Sequence, residues 1–240
     1  MKRVVFFALV AAAIFALFPR SAFAKTASIG DPLRIEVPGA PDAYYYKPRA
    51  KGQQPIIMYL HGRGGNPAED CRKWARVGTQ FGWVVCPSGT ASAEGGRSWG
   101  DGNAEHVVNA TVKALRDKYH SKVQLRGNVL MGFSEGAWAA MNVGLKDQTT
   151  WNRWMIMGAA QQYWGDVTEA LDRDKRKVRR VYLLTGENDG VAKSTLAVGD
   201  TLKKFKVPSK VKLVPGLGHE IPQDRMISTY RRPLAWLVQK

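Results

Sequence analysis

Cysteine and histidine are scarce in these 240 residues, with two of the first and four of the second. That excludes a multi-disulfide scaffold and a multi-ligand zinc module, so no metal site is expected. No apolar run reaches the ~20 residues that span a bilayer. The chain has no internal repeat and no low-complexity tract, which excludes solenoid and fibrous architectures. No linker or composition shift marks a second domain. With 45% apolar residues, the chain is long enough to bury one ordinary core.

What is present begins with an export signal. Lys2 and Arg3 give a positive start, residues 4–18 are unbroken apolar sequence, and Pro19 follows. Ala22-Phe23-Ala24 then supplies the small-x-small pattern that signal peptidase reads. Fifteen residues are too few for an uncleaved anchor, so residues 1–24 are expected to be removed, leaving 25–240 as a single periplasmic or secreted domain. In an oxidising compartment Cys71 and Cys86 are expected to form a disulfide, the alternative being two buried thiols that act as small hydrophobes.

Short β-type runs alternate with longer helical ones. Residues 33–37 alternate apolar and polar, as a half-buried edge strand does, and 43–47 read as its hairpin partner. Residues 55–60, 83–86, 128–131, 154–157 and 181–185 are continuous apolar runs, the mark of strands buried on both faces of a parallel sheet. A last strand spans 211–214. Helical patterns cover 104–118, 135–145, 194–205 and 232–238. The predicted fold is α/β: a doubly wound, mostly parallel sheet with antiparallel strands at the front.

One pentapeptide carries most of the chemistry. Gly132-Phe133-Ser134-Glu135-Gly136 joins a strand to an Ala-rich helix, the setting of a nucleophile elbow. Glycines two before and two after the serine avoid collision across the turn. A hydroxyl becomes a useful nucleophile only when a base takes its proton. Of the four histidines, His219 alone is both C-terminal to the serine and just past a strand, whereas His106 and His120 sit in or at the end of a helix. The imidazole needs an acid to orient it. Asp189 is preferred over Glu187 because it lies deeper in the turn after 181–185 and beside Gly190. Oxyanion donors are expected from the backbone N–H groups of Glu135 and of Arg63, the latter in His61-Gly62-Arg63-Gly64-Gly65. That loop lacks the Lys-Ser/Thr ending of a P-loop.

The loop at 61–65, the elbow at 132–136, the turn Gly186 to Val191 and the segment Gly216-Leu217-Gly218-His219 together resemble the α/β-hydrolase superfamily. Within it, the chain is most similar to the small phospholipase/carboxylesterase and dienelactone-hydrolase-like group. The resemblance implies a Ser134-Asp189-His219 triad, an acyl-enzyme intermediate, no cofactor and hydrolysis of carboxylic esters. Glu135-Gly136-Ala137 stands where cytoplasmic carboxylesterases commonly have Gln-Gly-Gly, so a thioesterase preference is not implied. Serine in place of cysteine argues against true dienelactone hydrolysis.

The 55 residues from Ser134 to Asp189 leave no room for a large cap, so an open groove is expected. Its walls are assigned to 97–101 and 161–164, with Trp99 and Trp164 either contacting substrate or sitting in the core. The net charge is +16, with six basic residues in 173–180 and five in 203–212. These read as solvated surface or as a face for an anionic envelope component. Nucleic acid is excluded for an exported chain without a recognition motif. The expected partner is a small or medium ester, and the expected state a monomer. A serine peptidase of the same fold and a non-catalytic binding protein are the competing readings.

Overall fold

The computed structural model describes residues 29–172 and 174–239. The export segment at 1–24 lies outside them. In chain order the elements are β1 (Leu33–Ile35), β2 (Ala43–Tyr46), β3 (Ile56–Leu60), α1 (Pro67–Gly78), β4 (Trp83–Cys86), β5 (Ala91–Ala93) and β6 (Gly96–Ser98). There follow α2 (Ala104–Tyr119), β7 (Asn128–Phe133), α3 (Glu135–Lys146), β8 (Trp151–Met157), β9 (Arg180–Gly186), α4 (Ala192–Lys204), β10 (Ser209–Val214) and α5 (Met226–Val238).

Eight strands form one sheet in the order β1-β2-β4-β3-β7-β8-β9-β10. β1 pairs antiparallel with β2, and β2 with β4, while every later pairing is parallel. β3 and β4 are buried at every position, as their continuous apolar sequence predicts. Alternate residues feed two cores, because side chains switch face at each step along a strand. Ile56, Met58 and Leu60 face α2 and α3 residues such as Val107 and Ala140, whereas Ile57 and Tyr59 face Trp74 of α1 and Tyr230 of α5. The Trp74 and Tyr230 rings are 4.8 Å apart.

Three differences from expectation are found. α5 begins at Met226, six residues early, and keeps Pro233 inside it. Burial of Met226, Tyr230, Leu234 and Leu237 on one stripe offsets the hydrogen bond that proline removes. β5 and β6 form a hairpin not foreseen from sequence, closed by Glu94 and Gly95, both at positive φ, as a two-residue hairpin turn requires. Cys71 and Cys86 are free buried thiols, so the expected disulfide is not formed. Burial, then the neighbouring Cys71, pushes the Cys86 thiol well above its usual range.

The loops that follow β3, β7, β9 and β10 gather at the carboxyl edge of the sheet. Among the described residues no large cap is inserted there.

Candidate active site

β7 ends in Phe133, and α3 starts at Glu135, so Ser134 stands alone at the corner. Its backbone has φ 55° and ψ −119°, a conformation that L-residues adopt only under constraint. Two glycines supply the room. A Cβ on Gly132 would lie 2.0 Å from the Gly136 carbonyl oxygen, and one on Gly136 would lie 2.2 Å from that of Leu60. The first clash is across the turn, as expected, but the second is with β3.

His219 follows β10 and reaches back to the serine, with Nε2 2.9 Å from Ser134 Oγ. Its Nδ1 is 2.9 and 3.0 Å from the two carboxylate oxygens of Asp189. An ionised carboxylate only accepts, so Nδ1 carries the proton and Nε2 is left to accept the serine hydroxyl. The Phe133 ring packs 4.9 Å from the imidazole, centroid to centroid. Asp189 sits in the turn after β9 with its side chain 2% exposed. Burial alone would raise its pKa. The Thr185 hydroxyl at 2.6 Å, the Val191 amide at 2.9 Å and His219 together outweigh that and hold the carboxyl below its usual range. Glu187 is exposed, and among the described residues its carboxylate accepts only from the Gly216 amide, at 3.4 Å. His106 instead meets the Gly39 carbonyl, and His120 ends α2.

The loop after β3 faces the serine. Among the described residues, neither the Arg63 nor the Glu135 backbone N–H donates to a protein acceptor, and both residues line the cleft that contains Ser134. His61 fixes this loop. Its Nδ1–H donates to the Gly62 carbonyl at 2.8 Å, its Nε2 accepts from the Gly89 amide at 3.1 Å, and its carbonyl accepts from Trp99 Nε1 at 2.9 Å. Burial lowers the imidazole's pKa, which keeps Nε2 free to accept. The β5–β6 hairpin adds a second clamp, because Arg97 N donates to the Gly65 carbonyl at 3.0 Å.

Two clefts meet at Arg63 and His219. The one containing Ser134 is about 400 Å³ and is walled by Trp138, Ala160, Tyr163 and Val191. The other, about 560 Å³, is lined by Tyr59, Asp70, Lys73, Glu220 and Arg225 among others. Lys73 Nζ donates to Asp70 at 3.1 Å on its wall. Trp99 and Trp164 are not part of either wall. Trp99 is fully buried under His61, and Trp164 is 9% exposed and packed into the core. The Trp99 indole N–H reaches the His61 carbonyl and the Trp164 ring packs into the core, which leaves Gly100 and Tyr163 at the surface of the cleft.

Sequence reasoning missed Trp138, Thr185 and the side chain of Glu135, and within the wall segment 161–164 it named Trp164 where Tyr163 lines the cleft. Two of these have a legible signal. Trp138 stands four residues after Ser134, one helical turn on, and therefore on the same face of α3. Thr185 is the last polar residue of an apolar strand just before the acid turn, where a buried carboxylate needs a donor. Tyr163 and the Glu135 carboxylate depend on where distant loops close.

No family model and no curated protein matches the sequence. Solved structures do resemble this one. The fluorophosphonate-binding serine hydrolase FphF of Staphylococcus aureus superposes with a TM-score of 0.64 at 15% identity, covering 87% of this chain and 97% of that one. The S-formylglutathione hydrolase FrmB of Staphylococcus aureus gives 0.63 at 14% identity over 82% and 90% of the two chains. A Bacillus cereus carboxylesterase gives 0.60 at 14% identity over 81% and 92%. At such identities the likeness is one of architecture, and the sheet order agrees with it: the chain has the α/β-hydrolase fold.

Proposed function

We propose that this chain is an exported serine hydrolase that cleaves carboxylic esters through Ser134, His219 and Asp189. The observation that carries the reading is the continuous line from Ser134 Oγ through His219 to the buried Asp189 carboxylate, with both links at 2.9 Å. His219 Nε2 takes the serine proton as Oγ attacks the ester carbonyl. The negative charge that develops on the carbonyl oxygen is met by the N–H groups of Arg63 and Glu135, and by the positive end of α3. Nε2 then returns the proton to the departing alcohol, leaving an acyl-serine. Water repeats the cycle and releases the acid.

The two clefts divide the ester. The acyl part stays on Ser134 and belongs in the cleft walled by Trp138 and Tyr163, which suits aryl or alkyl groups. The alcohol must sit where His219 can protonate it. Beyond His219 lies the polar cleft, whose Asp70–Lys73 pair and outer charges suit a hydroxylated or charged alcohol.

A panel of p-nitrophenyl esters and aminoacyl anilides tests the reaction, and a fluorophosphonate tests the nucleophile. Ester turnover with covalent label on Ser134 is expected. Turnover of anilides alone would point to a peptidase, and no turnover or label would point to a binding protein. Export is supported by the apolar run 4–18 and the Ala22-Phe23-Ala24 site. N-terminal sequencing of envelope material should begin at Lys25.

A further inference from the structure

The opposite end of the sheet from Ser134 carries a separate cleft of about 630 Å³. It lies where three parallel strands begin: Gly127 precedes β7, Thr149 and Asn152 flank the start of β8, and residues 176–179 lead into β9. β7 has six residues, so at ~3.3 Å each the cleft stands about 20 Å from the serine at its far end. Arg126, Arg153, Arg176, Lys177 and Arg179 line it, and none of its described lining residues is acidic.

Elsewhere on the surface, basic side chains meet carboxylates, as in Arg72–Asp31, Lys113–Asp117 and Lys146–Glu105. At the cleft Arg153, Arg176 and Lys177 are fixed by neutral oxygens instead. Arg153 Nη1 donates to the Gly127 carbonyl and Asn152 Oδ1, and Arg176 donates to the Phe205 and Lys206 carbonyls. Lys177 Nζ donates to Thr149 Oγ1 at 3.2 Å. A carbonyl orients a cation without cancelling its charge. Arg153 Nε is buried with no hydrogen-bond partner among the described residues. Burial, then repulsion from Arg179 and Arg180, pulls that guanidinium below its usual range. Like charges gathered in this way oppose folding until a bound anion offsets them.

We propose that this cleft binds a ligand carrying two or more phosphate groups, held by Arg126, Arg153, Arg176, Lys177 and Arg179. Guanidinium groups present paired N–H donors that match phosphate oxygens two at a time. The cleft is roughly twenty times the ~30 Å³ share of one water molecule, which leaves room for more than one phosphate. Binding there is independent of ester turnover, because the site shares no residue with either cleft at Ser134.

Tripolyphosphate titrated calorimetrically into the full chain is the direct test. Affinity should fall as salt is added. The triple variant Arg126→Gln, Lys177→Gln, Arg179→Gln should lose about tenfold or more in affinity, with ester turnover retained and a melting temperature equal to or above that of the parent chain. Arg76→Gln, Arg231→Gln, Arg232→Gln removes equal charge from exposed helix positions away from the cleft and should hold affinity within about twofold. Sedimentation with phosphatidylglycerol vesicles then identifies the source of the phosphate. Cleft-dependent sedimentation assigns a lipid headgroup, and cleft-independent sedimentation with tripolyphosphate binding retained assigns a soluble phosphorylated ligand; either keeps the site. Equal loss in the two triple variants, or no tripolyphosphate binding by the parent chain, overturns it.

Discussion

The Ser98 hydroxyl lies 2.9 Å from both carboxylate oxygens of Glu135, the residue that follows Ser134. One of those oxygens also accepts the Trp99 amide at 2.9 Å, and the Arg63 guanidinium stands 3.8 Å from the other. Through one carboxylate, the helix that begins at the elbow is tied to the loop after β6 and to the loop that carries Arg63. In the proposed reaction this gives Glu135 a positioning role. Glu135→Ala should leave the Trp99 amide and Ser98 hydroxyl short of an acceptor. We expect a loss of about 1–3 kcal/mol in stability and a fall in kcat larger than any change in KM. Glu135→Gln keeps one acceptor oxygen and should recover most of both. Denaturant unfolding and steady-state kinetics on the three proteins decide it; equal behaviour of Ala and Gln variants would rule out the tie.

The triad should behave as a unit. Ser134→Ala and His219→Ala are each expected to lower kcat by several powers of ten, and the double variant to do little more. Asp189→Asn should be damaging but milder than loss of the serine, and Glu187→Gln close to neutral, since among the described residues the Glu187 carboxylate accepts only from the Gly216 amide. Rapid-mixing assays with a fluorophosphonate titration of active sites separate these cases. Near-normal turnover by Ser134→Ala would remove the assignment.

Acid should destabilise the oxyanion loop before it unfolds the acid turn. His61 is buried neutral, with Nε2 accepting from Gly89, so its folded pKa is below the ~6.5 of an unfolded histidine. The unfolded chain therefore binds the extra proton first. Stability should fall as pH drops below about 6.5, by up to ~1.4 kcal/mol per pH unit until the folded pKa is reached. His61→Gln should flatten that slope, read from urea midpoints between pH 7.5 and 5.5.

Asp189 has the opposite type of group and a lower window. Its folded pKa lies below that of an unfolded aspartate at ~3.9, so its contribution is complete above that pH and disappears as the pH falls through the folded value. Thr185→Val removes the donor at 2.6 Å and should shrink this contribution and lower kcat. NMR titration of the Asp189 carboxyl should show a higher pKa in that variant; no change would dismiss Thr185 as its anchor.

Substrate preference should divide along the two clefts. Trp138→Ala opens the apolar wall beside Ser134, so KM for aryl-acyl esters should rise about tenfold while acetyl esters change little. The paired change Asp70→Asn, Lys73→Gln should act mainly on esters of charged or polyhydroxylated alcohols. A KM matrix over acyl and alcohol groups reads both, and effects that follow the wrong half of the ester would reverse the orientation.

Continuous apolar runs sufficed to place β3, β4, β7, β8 and β9, because a strand buried on both faces has no polar position to disguise it. The turn at Ser134 and the meeting of Ser134, His219 and Asp189 were also legible. Gly132 and Gly136 answer to backbone contacts a few residues away in the fold, and a turn past a strand end leaves few positions for His219 and Asp189. Length and side-chain destination were not legible. α5 extends through Pro233 because its partner stripe lies on α1, and the β5–β6 hairpin exists where Glu94 and Gly95 can take positive φ. Trp99 and Trp164 turn inward onto partners far off in sequence, and Cys71 and Cys86 are buried free thiols. A motif fixes the local backbone and the kind of chemistry. Which side chains wall the cleft, which carboxylate is buried with its donors, and which cations are left without acids depend on how distant loops close on one another. Only the packed tertiary structure decides that.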